Sequence, residues 1–173
     1  MNGLKLWREC FSTNGGGAIN NCDFLERGYR LSRILITGAA GFLGRRLTSR
    51  ILKLQGEGME AGFGDIRSLI LWDHLPFEAP VSDHLEVKMI HGDLLDEQLR
   101  NEAFAGGLDS IIHLAAVVSS QAEEDFDLGM RVNAAGTRAL LEACRARENQ
   151  PKFVMTSSVA VFGGDLPNKV PDQ

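Results

Sequence analysis

Ile34-Leu35-Ile36-Thr37-Gly38-Ala39-Ala40-Gly41-Phe42-Leu43-Gly44 is the stretch that decides the fold. Its first four residues are apolar or β-branched and end on a glycine, the pattern of a buried parallel strand. Glycines at 38, 41 and 44 follow at once, and Leu43, Leu47, Ile51 and Leu54 then recur at helical spacing. A strand that turns through glycines into an amphipathic helix is the phosphate-binding turn of a dinucleotide fold. Gly38 permits the tight turn, Gly41 lets the backbone approach a pyrophosphate, and Gly44 allows the helix to pack closely on the strand. The phosphates then meet free N–H groups and the positive end of the helix dipole.

Outward from this turn the chain alternates. Leu69 to Asp73 reads as a second buried strand with an acid at its end, and Val87 to Ile90 as a third, followed by His91-Gly92-Asp93. Asp96 is placed to cap a short helix running to Phe104. Ser110 to Ala116 reads as a fourth strand. A long helix follows, with Phe126, Met130, Asn133, Thr137, Leu140, Leu141 and Cys144 predicted along its inward stripe. Phe153 to Ser158 reads as a fifth strand. Strands alternating with helices imply an α/β fold: a Rossmann-type, doubly wound parallel sheet covered on both faces. Residues 1–32 hold Asn14-Gly15-Gly16-Gly17 and no sustained period, so they read as a flexible N-terminal extension. Residues 33–173 then form the dinucleotide-binding domain, which the sequence leaves incomplete after the fifth strand.

Asp73 lies thirty-five positions after Gly38, and the glycine-rich stretch Gly56 to Asp65 accounts for the length of that interval. A carboxylate at the end of the second strand accepts hydrogen bonds from the adenosine ribose hydroxyls and repels a 2′-phosphate, which selects NAD over NADP. Asp93 has two readings, a contact to the adenine amino group or a turn-forming Asp after glycine. His113, on a buried strand, reads as a hydrogen-bonded core histidine. Ser157 and Ser158 end a strand, where a hydroxyl also serves merely to satisfy local backbone groups.

Composition narrows the alternatives. The formal net charge is −5, and Lys and Arg are scattered, which gives no electrostatic footprint for nucleic acid. Cys10, Cys22 and Cys144 are far apart, and the four histidines form no metal-binding pattern, so no metal site is expected. Sparse thiols, no signal-peptide core and no apolar run of membrane-spanning length point to a cytoplasmic protein with no membrane partner.

In order along the chain stand G-x-x-G-x-x-G, the strand-end Asp73, Gly92-Asp93-Leu94, His113-Leu114-Ala115-Ala116, Val132-Asn133 with Gly136-Thr137, and Thr156-Ser157-Ser158-Val159-Ala160-Val161-Phe162-Gly163. Together these resemble the extended short-chain dehydrogenase/reductases, the NAD-dependent epimerase/dehydratase family, from about Arg33 to Gln173. The segments around Asp125-Phe126-Asp127 and Val159 to Gly164 look most like the D-erythronate dehydrogenases. The resemblance implies a strand order of 3-2-1-4-5-6-7 and NAD along the carboxyl ends of the strands. Gly38, Gly41, Phe42, Leu43 and Gly44 match the phosphate loop, Asp73 the ribose ligand, and Asp93 with Leu94 the adenine contact. Ala115, Ala116 and Val118 line the nicotinamide side, with Ser157 beside them. Asn133 steadies the fourth strand and its loop, and Ser158 falls on the catalytic serine.

The resemblance further implies NAD-linked oxidation of a sugar acid such as D-erythronate. A nucleotide-sugar epimerase or dehydratase, and a non-catalytic NAD-binding module, stand as alternatives. A small-molecule sugar-acid or nucleotide-sugar substrate and a homodimer are the implied partners. One departure weighs on activity. The family's catalytic helix carries Tyr and Lys four residues apart, whereas the single tyrosine here is Tyr29, with Arg33 four positions on. On that ground the chain is expected to be an inactive fragment.

Overall fold

The computed structural model describes residues 32–57 and 66–158. Residues 1–31 of the expected N-terminal extension, with Tyr29, most of the loop between the first helix and second strand, and the segment from Val159 onward lie outside the described residues, whereas Ser32 already belongs to the first strand. Strand β1 (Ser32–Thr37) leads through the glycines into helix α1 (Phe42–Gly56). Strands β2 (Ile66–Asp73) and β3 (Glu86–His91) follow, then α2 (Glu97–Phe104) and β4 (Ser110–His113). Short helices α3 (Ser119–Glu124) and α4 (Phe126–Gly129) run into a π-helix (Met130–Gly136), α5 (Thr137–Arg145) and β5 (Lys152–Met155).

The five strands pair in parallel in the order β3-β2-β1-β4-β5, the first five places of the expected sequence. Alternation along each strand sends side chains to two separate cores. Leu35, Ile70, Trp72, Ile90 and Ile111 pack on one face with Phe104 of α2 and with Leu140 and Cys144 of α5. Ile34, Ile36, Leu69, Leu71 and Ile112 pack on the other with Ile51 of α1. Each buried Ile or Leu contributes about 1.5–3 kcal/mol, so the central strands β1 and β2, apolar on both faces, anchor the sheet. Asp96 caps α2 as its position suggests, its carboxylate accepting from the N–H groups of Gln98 and Leu99 at 2.8 and 3.2 Å.

Three expectations are corrected. The long helix runs unbroken from Phe126 to Arg145 but passes through a π-helical segment, and a separate short helix precedes it. Phe126, Met130 and Leu141 are 70%, 50% and 44% exposed, and Asn133 also faces solvent, so the inward stripe shrinks to Thr137, Leu140 and Cys144 with Gly129 and Gly136. The wider π turn resets the helical phase. Buried glycines, not large side chains, make the close approaches: a Cβ at Gly129 would stand 2.8 Å from that of Ala122. In α1 the buried face is Gly44, Thr48 and Ile51, and Leu43 points outward. Strands β4 and β5 stop at His113 and Met155, short of Ala116 and Ser158. Beyond His113 the ladder gives way because backbone amides turn to side-chain acceptors: Ala115 to Thr37 and Val117 to Asn133.

Among the described residues no helix is long and apolar enough to cross a membrane, and no three His, Cys, Asp or Glu residues cluster so as to hold a metal ion.

Candidate dinucleotide-binding site

The carboxyl ends of β1, β2, β3, β4 and β5 lie along one edge of the parallel sheet, where ligands of open α/β folds bind. At its centre is the glycine turn. Gly38 adopts φ +70°, and a Cβ there would sit 2.6–2.8 Å from the backbone of Leu114 and Ala115. At Gly44 it would lie 2.2 Å from the Gly38 carbonyl oxygen and 2.6 Å from Ala39 Cα. Both positions therefore admit only hydrogen. Gly41 differs: it is exposed, and its single near neighbour is the Gly38 carbonyl at 3.2 Å. The first-turn amides of α1 have no intrahelical acceptors, no side chain caps them, and no acidic residue stands in that turn. This is an open, electropositive cradle, and it fits a pyrophosphate.

Asp73, buried at the end of β2, does something that its position alone did not disclose. One carboxylate oxygen accepts the Ala40 N–H at 2.8 Å and the other the Leu75 N–H at 3.0 Å, so the side chain ties the glycine turn to β2. His74 Nδ1 lies 3.2 Å from the second oxygen. An ionised carboxylate offers about four lone-pair sites, so each oxygen keeps capacity beyond its backbone donor for a ribose hydroxyl. Trp72 strengthens the same corner: its indole N–H donates to the Gly92 carbonyl at 2.9 Å, and the Gly92 N–H donates to the Asp73 carbonyl at 3.0 Å.

Asp93 combines a turn with an ion pair. Its carboxylate accepts from the Leu95 N–H at 2.9 Å, and it pairs with Arg131 of the π-helix. Leu94 is buried in the core beneath it. Arg131 and this pairing lie outside the expected site, because a helical period does not tell which helix face meets the turn after β3.

The far end of the edge is built from side chains. Residues 114–118 run from β4 to α3, with Ala116 and Val118 exposed and Ala115 partly covered. Asn133 holds this loop with both halves of its amide: Oδ1 accepts the Val117 N–H at 2.8 Å, and Nδ2–H donates to the Val117 carbonyl at 2.9 Å. Buried His113 stands between two threonines, Nδ1 lying 2.6 Å from Thr37 Oγ1 and Nε2 2.9 Å from Thr137 Oγ1. The Ala115 N–H also donates to Thr37 Oγ1, at 3.4 Å. Burial lowers the basicity of His113 below the ordinary imidazole range. Thr37 and Thr137 were read as parts of a strand and a helix but not as site residues, although one immediately precedes the glycine turn and the other follows Asn133 by four positions. Ser157 and Ser158 are exposed just beyond β5, whose last paired residue, Met155, lies opposite His113.

Comparisons with known proteins agree with this geometry. The sequence profile of the NAD dependent epimerase/dehydratase family matches residues 34–173. A D-erythronate dehydrogenase of Cupriavidus necator is 46% identical over 140 residues, covering 80% of this chain and 42% of its own length. The crystal structure of a nucleoside-diphosphate-sugar epimerase from Agrobacterium tumefaciens superposes with a TM-score of 0.73 at 36% identity, covering 92% of this chain and 45% of that one. A uronate dehydrogenase mutant from Agrobacterium tumefaciens, complexed with NAD, superposes with a TM-score of 0.57 at 31% identity, over 74% of this chain and 41% of that one. The chain thus spans less than half the length of each.

Proposed function

For a chain that belongs to the NAD dependent epimerase/dehydratase family, we propose that the edge just described is an NAD site of a sugar-acid dehydrogenase, with D-erythronate as the substrate. The observation that carries the cofactor reading is Asp73, a buried carboxylate braced against the glycine turn at the end of β2. In this reading Gly38, Gly41, Phe42, Leu43 and Gly44 surround the pyrophosphate, Asp73 the adenosine ribose, and Asp93 with Leu94 the adenine. Ala115, Ala116, Val118 and Ser157 flank the nicotinamide, and Asn133 acts indirectly through Val117. NAD, when bound, supplies the hydride acceptor. Ser158 would hold the substrate hydroxyl by a hydrogen bond, orienting it toward that acceptor. The sugar-acid substrate is supported by the 46% identity with a D-erythronate dehydrogenase.

Two alternatives have observations of their own. A nucleotide-sugar substrate is favoured by the likeness to the Agrobacterium epimerase, and would show as turnover without net NAD consumption. A binding module without catalysis rests on the cradle alone, the glycine turn braced by Asp73, and would show as NAD binding with no turnover of either substrate class. A cytoplasmic location belongs to the same proposal, supported by the sparse cysteines. So does a homodimer, supported by exposed Phe126, Met130 and Leu141 along one helical stretch.

The test is a titration of the protein with NAD and NADP. A charge-assisted hydrogen bond contributes ~1.5–3 kcal/mol, so NAD should bind roughly tenfold tighter or more, and Asp73→Ala should abolish the preference. Equal affinities in the unsubstituted protein would remove the ribose role of Asp73.

A further inference from the structure

The two threonines around His113 belong to different parts of the proposed site. Thr37 ends β1 and precedes the glycine turn, and its hydroxyl also receives the Ala115 N–H of the loop after β4. Thr137 opens α5 one turn beyond Asn133, whose amide grips Val117 of that same loop. Thr37, which anchors the loop at Ala115, and Thr137, one turn beyond the Asn133 that anchors it at Val117, thus meet at one imidazole. Thr37 Oγ1 already accepts the Ala115 N–H, so its own O–H is left to donate to Nδ1, and the 2.6 Å separation suits an O–H donor. The ring proton then sits on Nε2, which donates to Thr137 Oγ1 at 2.9 Å.

We propose that His113, held as the neutral Nε2–H tautomer between Thr37 and Thr137, is the positioning residue that sets residues 114–118 against the glycine turn, and thereby governs how tightly the nicotinamide end of NAD is held while leaving the adenosine end unaffected. The proposal rests on the NAD reading above. The groups facing the ring from each neighbouring element are Thr37 of β1, Thr137 of α5 and the Phe153 ring of β5, 5.8 Å away between centroids. None is charged, and burial lowers the basicity of the ring below the ordinary imidazole range. A protonated ring would have to donate from both nitrogens. The Thr37 hydroxyl proton would then be left in the interior without its acceptor, and the Ala115 anchor would lose its fixed geometry.

Two measurements test this. In the first, NAD and ADP-ribose, which lacks the nicotinamide, are titrated against the protein and its Thr137→Val and Thr137→Ser variants. Loss of one hydrogen bond at the loop predicts up to roughly tenfold weaker NAD binding in Thr137→Val, unchanged ADP-ribose binding, and recovery in Thr137→Ser. Equal losses for both ligands, or none for either, would overturn the proposal. In the second, ¹⁵N NMR reads the ring nitrogens and the amide exchange of Ala115 and Val117. The expected pattern is a proton on Nε2 and faster exchange at both amides in Thr137→Val; an Nδ1–H ring or unaltered exchange would refute the relay. Should the unsubstituted protein bind neither ligand, the NAD reading falls by itself, and the exchange data alone decide whether His113 couples the two anchors.

Discussion

The two ends of the proposed cofactor groove are held by different physics. At the glycine turn the constraint is steric and lies in the backbone: Gly38 and Gly44 leave no room for a Cβ, and Asp73 fastens the turn through main-chain N–H groups. At the loop after β4 the constraint is a set of side-chain hydrogen bonds, from Asn133 to Val117 and through His113 to Thr37 and Thr137. A steric constraint is all-or-none, since a methyl group either fits or moves the backbone. A hydrogen-bond constraint is graded, removable one bond at a time, and sensitive to protonation. The first end should therefore break on substitution and the second should loosen.

The sharpest contrast comes from Gly44→Ala. Its Cβ would stand 2.2 Å from a backbone oxygen that cannot retreat without dragging the turn, so α1 must part from β1. Overpacking of this kind costs about 3 kcal/mol, and urea unfolding should show it as a large fall in the transition midpoint. A midpoint close to that of the unsubstituted protein would show the turn to be softer than its geometry implies. Asn133→Leu should do much less. Val117 is near solvent, where water replaces the lost partners, so a loss of roughly 1 kcal/mol is expected, together with faster exchange of the Val117 amide.

The smallest effect is that of pH. The folded state holds His113 below the ordinary imidazole value, so as pH falls the unfolded chain takes up that proton first. The stability that goes with the neutral ring is complete above ~pH 6.5 and is lost as pH drops from there through the lower folded value. Urea midpoints at pH 7.5 and 5.5 should fall more in the unsubstituted protein than in His113→Phe. Equal falls would assign the pH dependence to other groups.

The same contrast explains what could be read in the sequence. The glycine turn was legible because its constraints are local: glycines at 38, 41 and 44 between an apolar run and a helical period dictate a strand, a turn and a helix, whatever surrounds them. The parallel sheet followed from the alternation of elements, and the strand order from the family resemblance. The phase of residues 126–145 was not legible, since a π-helix breaks the period on which any inward stripe is counted. Nor were the long-range pairs, such as Thr37 with His113 or Asp93 with Arg131, which are separated by 76 and 38 positions. A periodic pattern carries no record of such partners. Asp73 lies between the two cases: its position suggested a ribose ligand, but the bracing of Ala40 appeared only when β1 and β2 lay side by side.

The central claim is that this edge of the sheet receives NAD, and NMR of the ¹⁵N-labelled protein titrated with NAD tests it most directly. The account predicts shifts concentrated at the amides of Gly38, Gly41, Phe42, Leu43 and Gly44, at Leu75 beside Asp73, and at Ala115, Ala116 and Val118. Shifts scattered elsewhere on the sheet, or no change at saturating NAD, would contradict it.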